Sequence, residues 1–396
     1  MKKIMILGAS ILQIPAILEA KKMGLYVIAV DMNPNAEGFM YADKKIVVST
    51  TDTEKVLEEA IKNEIDGIIT IASDRPMTTV AKVAKELNLI GISEDTAINA
   101  TNKSKMRDVL KTNNVPIPMY FSATDYDDYI DAINKIRDKN LKCIVKPADN
   151  SGSRGIQLID NYDSENLRKI YDYCVNSSTS GSLVIEEFME GPEVSVETIS
   201  KDGICHVVQV TDKLTTGAPH FVEIGHSQPS QLESSIVNEI MKVAISANIA
   251  IGITDGPSHT EIKVTKDGPK IVEIGARLGG DNISTHLTSI STGVNMVQTC
   301  INIALGNSVE IKIERNKAAA IRYLIFTNGR ISEINGVDNA REIPGIVQIS
   351  IVRGIGDVIN EVNSSIDRVG FVISKGETVK DAIDVADKAL ATIDIN

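Results

Sequence analysis

The sequence predicts a multidomain chain, α/β at its N-terminal end and α+β beyond it. Three observations carry this reading. Apolar runs and helical patterns alternate through residues 1–95, the mark of a parallel, doubly wound sheet. Beyond residue 100 the alternation gives way to strand-like segments joined by short turns. The chain has 396 residues, enough for about two to three domains and for a core that needs no staples.

Lys3–Leu7 reads as a short buried strand and Ile14–Met23 as a helix ending at Gly24. Tyr26–Val30 is the next strand, stopping at Asp31, and Lys45–Val48 a third. Glu54–Asn63 places Val56, Leu57, Ala60 and Ile61 on one helical face. Ile65–Ile71 is a fully apolar strand and Met77–Leu87 another helix. A helix starts near Lys103 and ends before Val115-Pro116-Ile117-Pro118; the acidic stretch Asp125–Asp131 opens the next. Cys143–Lys146 and Ile156–Ile159 read as strands joined by the loop Ala148–Gly155, and Leu183–Glu187 as a further strand. Residues 194–315 form a larger α+β unit. Residues 318–396 hold strands, Gly-Pro turns and a last helix, Thr378–Ile393.

Composition narrows the function. Lys and Arg number 41 against 53 Asp and Glu, a net charge of −12, which argues against bulk binding of a polyanion. With 9 Tyr, 6 Phe and no Trp, stacking platforms for single-stranded nucleic acid are scarce and aliphatic side chains must build the core. Cys143, Cys174, Cys205 and Cys300 are widely spaced, so neither a disulfide framework nor a structural zinc site is expected, and a reducing cytoplasm fits. Lys2-Lys3 before an apolar run resembles a signal-peptide start, but Gly8, Ser10, Gln13 and Pro15 break the run. No stretch of about 20 apolar residues predicts a membrane span.

Two carboxylates give the strongest argument from the residues. Thr260–Val264 and Lys270–Ile274 flank Lys266-Asp267-Gly268 and read as a β-hairpin. A loop centred on Asp267 makes Glu261 and Glu273 a cross-strand pair, with Ile262 opposite Val272 on the other face. A tight Asp267-Gly268 turn would break that register, and Pro269 argues against it. Like charges placed opposite one another call for a cation, and two carboxylates with open positions suit Mg²⁺. On an exposed hairpin the same two side chains would simply be solvated. Arg277 follows just past the strand, before Leu278-Gly279-Gly280-Asp281, where it could hold a phosphoryl group or a carboxylate.

Lys146 ends an apolar strand before a small, polar loop running from Pro147 to Gly155. Backbone N–H groups of such a loop can cradle phosphates, although the Walker A ending is absent; an unliganded hairpin connection reads equally well. Glu186-Glu187-Phe188-Met189 leads to Gly191-Pro192-Glu193, where a strand end can meet an adenine edge and Glu193 ribose hydroxyls. His220, His226, His259 and His286 lie in one stretch but match no zinc spacing. Gly8-Ala9-Ser10 and Asp31 hint at a dinucleotide fold, yet the full G-x-G-x-x-G fingerprint is missing.

In this order and spacing the residues resemble the ATP-grasp superfamily over nearly the whole chain. The resemblance implies a Rossmann-like domain (1–100), an ATP-grasp domain (101–310, with a lid over about 116–187) and a C-terminal α+β domain (311–396). It implies that Lys103 and Lys146 contact ATP phosphates and that Ser151, Gly152, Ser153, Arg154 and Gly155 close over them. Glu186, Glu187, Phe188 and Met189 resemble the adenine hinge and Glu193 the ribose contact, with aliphatic Ile144 and Met189 expected about the base. Glu261 and Glu273 resemble the Mg²⁺ ligands (Mn²⁺ as the alternative), and Arg277 the arginine that steadies an acyl phosphate. Many members carry Asn two residues after the second glutamate; here that position is Gly275. Glu273–Asp281 and the segment Phe221–His226 are similar to the amino-acid ligase branch, with His220, Glu223, His226, Arg277, Gly280, Asp281 and His286 as candidate substrate residues.

The expected activity is therefore ATP-dependent carboxylate–amine ligation through an acyl phosphate, with small-molecule substrates and, by resemblance, a homodimer. No nucleic acid or membrane partner is expected. The alternatives are ATP-grasp enzymes using a thiol or bicarbonate, a nicotinamide oxidoreductase, and a nucleotide-binding module without catalysis.

Overall fold

The computed structural model describes residues 1–396 except Ser153, Pro219, His220, Asn328 and Asn360. Its N-terminal sheet is parallel, in the order β3-β2-β1-β4. The strands are β1 (Lys3–Leu7), β2 (Tyr26–Asp31), β3 (Lys44–Val47) and β4 (Gly67–Ile69). Helices α1 (Ile14–Lys22) and α2 (Thr53–Asn63) make crossovers, and α3 (Met77–Glu86) follows β4 and packs on the sheet. Alternate residues of one strand feed opposite cores: Ile4 and Ile6 pack with α1, Met5 and Leu7 with α2 and α3. The doubly wound expectation holds, with strand and helix ends moved by one or two residues.

Helix α4 (Glu94–Thr101), capped by the Ser93 side chain, runs directly into α5 (Lys103–Thr112), capped by Asn102. The Asn102 cap makes Lys103 the first residue of α5, and the Lys103 N–H donates to Ala148 O at 2.7 Å. A sequence reading based on apolar period passes over α4, whose short amphipathic face is built largely from alanines and threonines.

A four-stranded antiparallel sheet, β5-β8-β6-β7, follows. Its strands are β5 (Tyr120–Ala123), β6 (Cys143–Pro147), β7 (Gln157–Leu158) and β8 (Leu183–Glu187). Helices α6 (Tyr126–Arg137) and α7 (Ser164–Asn176), capped by Asp125 and Asp163, cover it around Tyr129, Ile133, Ile170 and Cys174.

The remaining long strands form one antiparallel eight-stranded sheet. Six of its strands are β9 (Glu193–Lys201), β10 (Ile204–Thr215), β11 (Glu223–Gln228), β12 (Gly256–Thr265), β13 (Gly268–Gly275) and β14 (Ala318–Leu324). Short pairs join β15 (Gly329–Arg330) to a later strand and β16 (Ile334–Asn335) to the C-terminus; β17 (Ile346–Ile351) is the sheet's far edge. β18 (Val358–Ile359), β19 (Gly370–Gly376) and β20 (Asp394–Ile395) complete these pairings. The order β13-β12-β9-β10-β11-β14-β19-β17 carries the sheet without a break across residue 310. Helix α8 (Ser234–Ile251) packs on α5 and β13, while α9 (Thr288–Thr292) and α10 (Met296–Ala304) fill the opposite side toward α1. Helices α11 (Val337–Arg341) and α12 (Val379–Thr392) close the C-terminal core.

The β12–β13 hairpin corrects one expectation. Its turn is the two-residue Lys266-Asp267, with Thr265 opposite Gly268, so Ile262 faces Ile271 and not Val272. A register shift between Glu261 and Ile262, with Val272 as the extra residue, then brings Glu261 opposite Glu273. The carboxylate pairing is as expected, but a bulge produces it. Pro269 is tolerated because β13 is the sheet edge.

Candidate active site

A cavity of about 700 Å³ lies where the three sheets meet. The carboxyl ends of β1, β2 and β4 supply Gly8, Asp31 and Asp74, the small sheet Lys146 and Glu186, and the large sheet Glu261 and Glu273.

At one end, Glu186 is sealed between two cations. Arg107 Nε donates to it at 2.6 Å and Lys146 Nζ at 2.7 Å, with the carboxylate side chain 1% exposed. Glu186 pairs with Ile144 in the β6–β8 register, so Lys146 is its diagonal neighbour on the same face. Burial alone would raise this carboxyl, but Arg107 and Lys146 pull it down to about 2. Ile144, Ile156, Phe188, Met189 and Phe221 form apolar walls nearby, the two phenylalanine rings 6.0 Å apart.

A second ion cluster centres on Lys213 of β10. Its ammonium lies 2.7 Å from Glu193, 2.7 Å from Glu261 and 3.5 Å from Glu223. Burial would lower its affinity for the proton, but the three carboxylates hold it well above the ordinary lysine value. Lys103 Nζ donates to Glu273 at 2.8 Å and to Asn150 O at 2.6 Å. Behind Glu261, His259 lies 3.5 Å away through Nε2, while its Nδ1 is 2.5 Å from buried Glu197. Ser284 donates to the same Glu197 at 2.6 Å.

Arg277 meets Asp74, from the loop after β4, in a fork: Nε to Oδ1 at 2.8 Å and Nη2 to Oδ2 at 2.9 Å. Nη1 makes only a 3.4 Å contact to Leu278 O. Burial opposes the guanidinium charge, but Asp74 overcomes it and raises the proton affinity further. This fork explains Gly275, because a Cβ there would stand 2.6 Å from Asp74 Oδ1. The space an asparagine would use is filled by a carboxylate from another sheet.

Beyond Arg277 the cavity is lined by Glu223, His226, Gly280 and Asp281. Asp281 and Asn282 both have left-handed backbones, φ 53° and 61°, a strain that surrounding contacts must hold. Arg368, from the C-terminal end of the chain, forks onto Asp281 at 2.7 and 2.9 Å and lies 3.7 Å over the Tyr323 ring. Burial would raise the Asp281 carboxyl, but Arg368 drives it far below the usual range.

Of the residues singled out from the sequence, Lys103, Lys146, Ser151, Gly152, Arg154, Glu186, Glu187, Phe188, Met189 and Glu193 all line this cavity. So do Glu223, His226, Glu261, Glu273, Arg277, Gly280 and Asp281. Ser153 and His220 lie outside the described residues. Two others are placed elsewhere. Gly155 is a packing glycine, since a Cβ there would stand 2.4 Å from Ser177 Cβ. His286 is off the lining, with Nδ1 2.9 Å from Thr285 Oγ1 and its proton affinity lowered by burial. Asp74, Lys213, Glu197 and Arg368 escaped the sequence reading. A lone lysine on a strand or an aspartate in a turn carries no local signal when its partners are remote in sequence.

Among the described residues no three His, Cys, Asp or Glu side chains form a closed metal site. Glu261 and Glu273 are two adjacent carboxylates on an open cavity. Such a donor set fits Mg²⁺ when phosphate oxygens and water complete the shell.

Residues 139–286 match the family model of the ATP-grasp domain, and residues 322–396 that of the L-amino acid ligase C-terminal domain 2. The L-arginine-specific L-amino acid ligase of Bacillus subtilis is 25% identical over 324 residues, covering 81% of this chain and 77% of that one. The phosphoribosylamine–glycine ligase of Methanocaldococcus jannaschii is 24% identical over 402 residues, covering 94% and 89%. The crystal structure of an L-amino acid ligase from Bacillus licheniformis superposes with a TM-score of 0.85, at 23% identity over 100% of this chain and 98% of that one. A parallel N-terminal sheet, a small antiparallel sheet and a large one meeting at a cleft of lysines and paired glutamates make the fold of the ATP-grasp ligases, and residues 139–286 carry the ATP-grasp domain itself.

Proposed function

We propose that the chain joins a carboxylate, an amino acid or a similar acid, to an amino acid or amine, through an acyl phosphate with release of ADP and phosphate. The observation that supports this most is one cavity that gathers two kinds of chemistry. Lysines, the paired carboxylates Glu261 and Glu273, and Arg277 line it together with His226 and Asp281, and Glu223 is tied to the carboxylate pair through Lys213. A carboxylate is a poor electrophile, so ligation needs it phosphorylated first, and the protein's task is positioning and charge neutralisation.

In this reading Lys103 and Lys146 contact the ATP phosphates and the loop bearing Ser151, Gly152 and Arg154 covers them. Glu187, Phe188 and Met189 meet adenine, and Glu193 the ribose. The Glu186 carboxylate, sealed by Arg107, fixes Lys146 and does not face the base. Glu261 and Glu273 would hold Mg²⁺, which neutralises phosphate charge when bound. Arg277, anchored by Asp74, keeps Nη1 for the substrate. Covering the cavity excludes water, which otherwise hydrolyses the acyl phosphate.

The test is a phosphate-release screen with ATP, Mg²⁺ and pairs of L-amino acids, with products weighed by mass spectrometry. Pair-dependent phosphate release with a condensed product is expected. Release that depends instead on bicarbonate or a carrier thiol would replace the amine reading, and release with none of these would end it.

A further inference from the structure

His226 is the cavity's most unusual polar group. It stands on β11, opposite Lys213 of β10 and Ile321 of β14, and is 1% exposed. Among the described residues neither ring nitrogen has a hydrogen-bond partner. Nε2 is 3.6 Å from Asp281 Oδ2, beyond hydrogen-bond length. A buried imidazole left without such partners bears its full desolvation cost, even though the ring packs edge-on against Tyr323 with centroids 6.2 Å apart. Its neighbour is fixed: the Arg368 fork and the left-handed backbone keep the Asp281 carboxylate in place, and Tyr323 Oη donates to Asp281 O at 3.0 Å. An acid held beside an imidazole whose nitrogens are free is the arrangement of an oriented base.

We infer that His226 takes the proton that the amine nucleophile must lose, with Asp281 as the positioning residue that favours the resulting imidazolium. The inference rests on the ligation reading. An ammonium has no lone pair with which to attack. One N–H bond breaks and its proton passes to an imidazole nitrogen. The freed pair forms the C–N bond to the acyl carbon. The C–O bond to phosphate then breaks, its electron pair leaving with phosphate, and the second nitrogen proton passes to the departing phosphate as the amide forms. The charged group beside the ring is Asp281, from the segment after β13; Glu223 from its own strand, Lys213 from β10 and Arg277 line the same cavity, and Arg368 of the C-terminal segment reaches it through Asp281. Lys213 and Arg368 are each neutralised by carboxylates, and Arg277 by Asp74.

The rival role, donation to the oxygen of the acyl group, predicts a different response. The experiment compares the full-length protein with His226→Gln, using the amino-acid pair most active in the phosphate screen. The same carboxylate is then given hydroxylamine, a nucleophile already unprotonated near neutral pH. General-base loss is expected to slow amino-acid coupling by about 10²–10⁴-fold while hydroxamate formation falls far less. Raising the pH, which frees the amine in solution, should restore part of the coupling. Equal losses with both nucleophiles, or no rescue by pH, would overturn the assignment. If His226→Gln fails to fold by circular dichroism, His226→Asn and Asp281→Asn are read in the same way. If the wild type releases no phosphate with any pair, nor with any amino acid plus hydroxylamine, the ligation reading itself fails and this inference falls with it.

Discussion

Arg277 commits two donors to Asp74 and holds Nη1 by no more than a 3.4 Å contact to Leu278 O. Its contribution should therefore fall on the transition state and not on the nucleotide. Arg277→Ala is expected to lower kcat by about 10²–10³-fold, the usual effect of removing one preorganised donor. ATP affinity, measured by calorimetry, should change little. Comparable losses in both quantities would place Arg277 among the nucleotide contacts instead. Glu186 makes a second prediction at this scale. Its folded-state value of about 2 lies below the unfolded carboxyl value, so its ionisation stabilises the fold at pH above about 4.3. That stability is lost as pH falls toward about 2. Glu186→Gln leaves Arg107 and Lys146 buried without their anion, at a cost of about 3–5 kcal/mol. In urea titrations the gap between wild type and variant should be constant near neutral pH and close as pH falls through that window. A gap independent of pH would refute the ion pair as its source.

At the level of elements, the loop after β4 and the end of β13 form one unit. Ile71 bridges Leu278, Ala72 N–H donates to Leu278 O at 3.1 Å, and Asp74 fills the space beside Gly275. Gly275→Asn, which installs the residue many ATP-grasp members carry, should displace Asp74 and cost about 1–3 kcal/mol by overpacking. Combining it with Asp74→Gly should recover much of that stability, a coupling that a double-mutant cycle in urea measures. Strict additivity would show that the two positions do not compete for space. The same elements show what the sequence could disclose. Glu261, Glu273 and Arg277 were legible because the hairpin puts them within 16 positions of one another. The bulge that sets their register was not, since it depends on the fit of β12 between β9 and β13. Nor were Asp74 and Arg368, whose partners lie 203 and 87 positions away.

Across the whole molecule, the cavity is where three sheets meet. Apolar cores shared with the large sheet hold the N-terminal sheet in place, and the small sheet has a core of its own. At the cavity itself the units are linked by ion pairs, Lys103 to Glu273, Arg107 to Glu186 and Arg277 to Asp74. The doubly wound sheet was readable from local periodicity. The antiparallel sheet spanning residues 193–376 was not, because its order joins strands far apart in sequence. A ligand held by all three units should stabilise the molecule as a whole. At about a hundred times its dissociation constant, a nucleotide bound only to the folded state adds about 2.7 kcal/mol. Mg²⁺ with a non-hydrolysable ATP analogue should therefore raise Tm by a few degrees, and more than the analogue does with a chelator. In Glu273→Gln the magnesium-dependent part of that rise should shrink and require more metal, while the metal-independent part persists. An unchanged magnesium titration in this variant would remove Glu273 from the metal site and with it the role proposed for the hairpin.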